Sequence, residues 1–127
     1  MKPATRGRWA EQAVWRFLEV RGYTILQRNV RLQKGELDVV ATKDDRLWFI
    51  ETKSRGRRDR GAPHLAVNRR KRRALYAAAI EFVKRLRYRG DYGFLIASVL
   101  PDPQTGDPQI SLQRCTLFPP GPWEQRD

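Results

Sequence analysis

The apolar residues of this chain change period several times, and each change marks an element. Ala10, Ala13, Val14, Phe17 and Leu18 recur at i, i+3, i+4, i+7 and i+8, which draws one stripe along an amphipathic helix. The stripe predicts a helix over residues 5–21, with Thr5 as its N-cap and Gly22 as its C′ stop. Residues 23–32 read as a strand and Gln33-Lys34-Gly35 as a turn. Residues 36–43 and 47–53 read as two more strands, joined by the hairpin-like Lys43-Asp44-Asp45-Arg46. A loop with Gly and Pro covers 54–65. A second helix covers 66–88, with Leu75, Ala78, Ala79, Phe82, Val83 and Leu86 as its buried stripe and Gly90 as its stop. Residues 92–100 are nearly all apolar, as a central strand should be. A weaker edge strand follows over 109–117. Residues 118–127, with Pro119-Pro120-Gly121-Pro122, read as a flexible C-terminal tail.

The order α-β-β-β-α-β-β predicts an α/β domain with a mixed sheet flanked by helices. At 127 residues the chain reads as one domain over 1–117, large enough to bury a real core. The hydrophobic fraction of 40% and thirteen aromatics argue against general disorder. Cys115 is the only cysteine, which excludes an intrachain disulfide and a Cys-based zinc site and reads as a small core residue. The opening residues lack the apolar run of a signal peptide, and no apolar stretch reaches membrane-spanning length. These features predict a cytoplasmic protein with no membrane partner.

Charge changes the picture. Lys and Arg number 26 against 14 Asp and Glu, a net charge of +12. Residues 54–73 carry Arg55, Arg57, Arg58, Arg60, Arg69, Arg70, Lys71, Arg72 and Arg73 against Asp59 alone, a net +8 in one segment. A concentrated basic stripe predicts a polyanionic partner, and nucleic acid is the commonest. Arginine outnumbers lysine, which suits bidentate phosphate contacts. A solvated arginine-rich surface is the plain alternative, but compositional bias alone does not cluster charge.

The candidate chemistry lies just before that stripe. Asp38 sits in Gly35-Glu36-Leu37-Asp38-Val39-Val40, and Glu51-Thr52-Lys53 ends the apolar run Leu47-Trp48-Phe49-Ile50. Alternation along a strand puts Glu51 and Lys53 on one face, with Trp48, Ile50 and Thr52 on the other. A paired strand brings Asp38 to the same end of the sheet. Two carboxylates there suit Mg²⁺ or Mn²⁺, which take one or two carboxylates plus waters and phosphate. The carbonyl of Thr52 could add a ligand. Lys53 would orient a water or stabilise charge developing on a phosphate. The bland alternative is a set of solvated strand-end charges.

Three further residues belong with this set. Glu11, at the margin of the first helix's stripe, either reaches the metal region or pairs with Arg8 or Arg16. Glu36, two residues from Asp38, is either a second carboxylate on Asp38's face or a turn residue. Lys71 extends the second helix's apolar stripe, which points it toward the end of the sheet as a phosphate contact or a snorkelling lysine. The arginines around it read as a backbone clamp. His64, the only histidine, has no partner in sequence reach and reads as a loop residue.

Ala10-Glu11, Leu18, Gly22-Tyr23-x-Ile25-Leu26-x-Arg28-Asn29-x-Arg31, Gly35-Glu36-x-Asp38, Phe49-x-Glu51-x-Lys53-x-Arg55, Gly61 and Lys71 resemble the bacterial YraN family over about residues 7–100. That resemblance implies the restriction-endonuclease-like PD-(D/E)xK nuclease fold, near the archaeal Holliday junction resolvases, with an αβββαβ core. It implies that Glu11, Asp38, Glu51 and Lys53 are the nuclease-type positions. The chain departs from the family pattern at Ala10, where glycine is usual, at Thr52, where valine is usual, and at Gly93, where aspartate is common. The expected function is a metal-dependent nuclease acting on DNA, including branched or damaged DNA. The alternatives are a non-catalytic DNA- or RNA-binding module on the same fold, and an adaptor that docks an acidic protein. A homodimer would suit two-strand cleavage, though no residue pattern demands one.

Overall fold

A computed structural model describes residues 3–54 and 69–115. The order is α1 (Pro3–Val20), β1 (Thr24–Arg31), β2 (Glu36–Lys43), β3 (Arg46–Ser54), α2 (Arg69–Leu86), β4 (Tyr92–Pro101) and β5 (Pro108–Arg114). The basic loop at 55–68, with Gly61 and His64, and the tail at 118–127 lie outside the described residues. No helix among the described residues is long and apolar enough to cross a membrane.

Two helix boundaries differ from expectation. α1 starts at Pro3, so Thr5 lies inside the helix and is not its N-cap. Proline suits a first helical position, where its missing N–H would have had no partner anyway. α2 ends at Leu86, four residues before Gly90. Its stop is Arg87 in the left-handed region (φ 55°), with Tyr88 N–H donating to Val83 O at 3.0 Å and Arg87 N–H to Lys84 O at 3.2 Å. That is the Schellman pattern made without glycine. α1 ends in the same pattern around Gly22 (φ 92°), with Tyr23 N–H donating to Leu18 O at 2.9 Å.

The five strands lie in the order β1-β2-β3-β4-β5, so β1 and β5 are the edges. β3 and β4 run parallel and the other pairs antiparallel. A parallel pair needs a crossover, and α2 sits within it. The β2–β3 hairpin closes through Asp44 and Asp45, both at positive φ (54° and 59°), as a two-residue primed turn requires.

The helices cover opposite faces. α1 buries Ala10, Val14 and Leu18 with Val39, Ala41, Ile50, Leu95, Ala97 and Val99. α2 buries Leu75, Ala78, Ala79 and Phe82 with Leu37, Val40, Phe49, Phe94 and Ile96. Phe49 is the hub of this second core. It meets Phe82 and Tyr92 edge-on and stacks on Phe94, all with ring centroids within 5.9 Å. Cys115 is buried in the same cluster.

Two local features set the position of the site. First, the pleat reverses near the middle of β1 and β2. Arg28 stacks over Trp15 of α1 at 4.2 Å, yet Val30 packs into the α2 core. Asn29 between them is left-handed (φ 52°), which turns the chain over. β2 reverses opposite it, with Val39 in the α1 core and Leu37 in the α2 core. Asp38 lies at the reversal. Second, the β1–β2 turn is strapped to α2. Glu81 accepts the backbone N–H groups of Gln33 and Lys34 at 3.2 and 3.1 Å. A Cβ on Gly35 would meet Ala74 O at 2.9 Å, so only glycine lets the turn approach the helix this closely.

Candidate active site at the end of β3

The β2–β3 ladder runs to the pair Val39–Ile50, while β3 continues beside β4 as far as Ser54–Val99. The strands part at this point, and the backbone N–H of Thr52 loses its strand partner. Oδ2 of Asp38 accepts it at 2.9 Å. A carboxylate replaces a ladder bond, which satisfies the amide and fixes Asp38 at the mouth of the opening.

Glu51 lies two residues beyond Phe49 and shares its α2-facing side. Among the described residues only Glu51 and Ser98 are buried polar or charged residues, and Glu51 is 5% exposed. A carboxylate this dry needs a partner. Lys71, in the first turns of α2, supplies one, with Nζ 3.0 Å from Oε1. Burial, then the Asp38 carboxylate, then a hydrogen bond shared with it, push the Glu51 carboxyl up to about 7 against the pull of Lys71. Two nearby carboxyls resist ionising together.

Lys53 is half-buried on the same face. Burial, then a hydrogen bond and repulsion from Lys71, lower its pKa. Lys71 moves the other way. Burial alone would lower it, but its bond with Lys53 and the Glu51 carboxylate raise it on balance. The arrangement is therefore polarised. Lys71 holds its proton firmly, and Lys53 is the lysine closer to giving one up. Ser98, beside Lys53 in the parallel register, is buried with no partner for its hydroxyl among the described residues. The sequence reading missed it. Its only signal was a lone serine in the apolar run of 92–100.

Glu11, on α1, lies within electrostatic reach of Asp38. Burial, then Asp38, then Glu36, raise its pKa, while Arg8 lowers it. Glu36 is exposed and acts on Glu11 through charge.

The structure brings Asp38, Glu51, Lys53 and Lys71 together, with Thr52 tied in through its N–H. Arg70 and Arg73 are exposed and Arg72 is half-buried. Arg55, Arg57, Arg58 and Arg60, and the side chain of Arg69, lie outside the described residues. Gly93 pairs with Trp48, several rungs below Glu51, so the position where aspartate is common in the family lies away from this opening.

No group of three acidic, His or Cys side chains that could hold a metal exists among the described residues. Mg²⁺ keeps waters and needs only one or two carboxylates. Asp38 and Glu51 fit that requirement. Oδ2 accepts the Thr52 N–H and Oε1 meets Lys71, so a cation would share these carboxylates with the partners they already hold.

The model of the uncharacterised protein family UPF0102 matches residues 10–99. Proteins carrying that family name are similar over much of the chain. One from Desulfosudis oleivorans is 41% identical over 78 residues, covering 61% of this chain and 63% of the relative. One from Syntrophomonas wolfei is 39% identical over 95 residues, covering 74% and 83%. One from Alkaliphilus metalliredigens is 32% identical over 97 residues, covering 74% and 83%. The match thus spans a little under two thirds of the first of these relatives. The chain belongs to UPF0102, the family named above as YraN, and its αβββαβ order with β5 appended agrees with a restriction-endonuclease-like core.

Proposed function

We propose that this UPF0102 chain is a metal-dependent nuclease that hydrolyses phosphodiester bonds in DNA, branched or damaged DNA included. One observation carries the reading: a nearly dry Glu51 beside Asp38 where β2 and β3 part, with two lysines against it. A fold gains nothing from burying a carboxylate whose charge costs this much, whereas a phosphodiesterase needs that donor set.

Asp38 and Glu51 would hold Mg²⁺ or Mn²⁺, and the ion would supply charge for a phosphate oxygen and acidify a water. Asp38 is positioned for this by the Thr52 N–H, which pins one of its oxygens. Lys53, with its lowered pKa, is suited to orient the attacking water and exchange a proton with it. Glu11 adds negative charge from the α1 side. The basic residues of 55–73 would neutralise backbone phosphates and set a salt-dependent affinity.

A second reading is favoured by one contact. Lys71 neutralises Glu51 without any metal, as would suit a non-catalytic nucleic-acid-binding module. Cleavage of labelled DNA separates the two. Product from the parent that requires divalent metal and disappears in Asp38→Asn supports the nuclease. Salt-sensitive binding with no product on any DNA supports the module.

A further inference from the structure

We propose that Lys71 is an internal stand-in for the divalent cation: its ammonium neutralises Glu51 in the metal-free protein, yields the carboxylate when the ion arrives, and then serves a substrate phosphate. The inference rests on the metal-dependent reading above, and deepens it by giving the site an order of events.

The geometry is specific. Lys71 Nζ touches Oε1 of a side chain that is 7% exposed, while the lysine's own side chain is 44% exposed. Glu51 is therefore fixed in the sheet, and Lys71 reaches it from the solvent side. A lysine on a four-carbon stem can withdraw without moving its helix. Lys53 is the less exposed of the two. It lies in β3, in register with Ser98 of β4.

Charge gives the reason for exchange. Two ammonium groups already crowd the carboxylate pair, and each perturbs the other. Adding a doubly charged ion to Glu51 and Asp38 while both lysines remain would place four positive charges against two negative ones. One lysine must retreat, and Lys71 is the more exposed of the two. Its retreat leaves an ammonium at the rim, where a DNA phosphate approaching the ion would meet it. Metal and phosphate binding are then coupled through one side chain.

The test is Mn²⁺ binding by titration calorimetry without DNA, on the parent, Lys71→Gln, Lys71→Met and Arg73→Gln. Arg73 is exposed on the same helix, so its variant reports the loss of one charge without the loss of a competitor. Both Lys71 variants should bind Mn²⁺ about tenfold more tightly than the parent, with Arg73→Gln close to the parent. In the parent, the side-chain ammonium resonance of Lys71 should move on adding Mg²⁺, a readout that needs no variant. Lys71 variants that bind no more tightly than Arg73→Gln, or an unmoved Lys71 resonance under saturating Mg²⁺, overturn the exchange and leave the nuclease reading standing. Absence of Mn²⁺ binding by all four proteins overturns the metal-dependent reading and the exchange with it.

Discussion

Oδ2 of Asp38 accepts the backbone N–H of Thr52 at 2.9 Å, so a candidate metal ligand also completes the sheet at the point where β2 and β3 part. One side chain has a structural task and a chemical one, and substitutions can separate them.

Asp38→Asn keeps an oxygen that can accept the Thr52 N–H. It should fold with nearly parental stability yet lose cleavage. Asp38→Ala orphans a partly buried amide and should cost about 1–3 kcal/mol. Thermal melts of both variants check this. Equal destabilisation by Asn and Ala would mean that the hydrogen bond is not what Asp38 contributes to the fold.

Glu51 predicts a pH dependence. Its carboxyl stands at about 7 in the folded chain against an ordinary 4.5. The folded state therefore keeps a proton that the unfolded chain releases as pH rises through 4.5. The corresponding stability is full below 4.5, declines as pH rises toward 7, and is gone above it. With EDTA present, the stability of the parent relative to Glu51→Gln should fall over this window by at most about 3 kcal/mol. Urea melts at pH 4.5, 6 and 8 measure the difference, and a parent that gains on the variant across the window would reverse the sign.

Gly35→Ala probes how α2 is held. The added methyl would sit 2.9 Å from Ala74 O, and a backbone atom cannot give way cheaply. The turn and α2 must separate, at a cost of about 1–3 kcal/mol. Because α2 carries Lys71, the Lys71–Glu51 contact should loosen too. A crystal structure of the variant would show it, and unchanged stability with an unchanged helix position would refute the argument.

Most of the fold was legible because its signals are local. The stripes of α1 and α2, the Asp44-Asp45 turn and the unbroken apolar run of β4 each follow from side-chain periodicity or turn chemistry. The pleat reversal was not legible. Strict alternation put Glu36 on Asp38's face and treated β2 as regular. The reversal depends on the left-handed Asn29, which asparagine permits but does not announce. The site was legible in part. Asp38, Glu51 and Lys53 follow from charge at the ends of apolar strands, and Lys71 from its place on the stripe of α2. The bond from Lys71 to Glu51 requires knowing how far α2 lies over β3, and no sequence period encodes that. Ser98 becomes visible only when the parallel register sets it beside Lys53.

The most direct test of the central claim is cleavage of labelled duplex, single-stranded and four-way-junction DNA in Mg²⁺, Mn²⁺ or EDTA, with the parent and Lys53→Ala side by side. The account predicts product from the parent with either metal, none in EDTA, and a rate reduced by at least about 100-fold in Lys53→Ala with DNA binding largely retained. Product from Lys53→Ala at the parental rate, or no product from the parent on any of the three substrates, would contradict it.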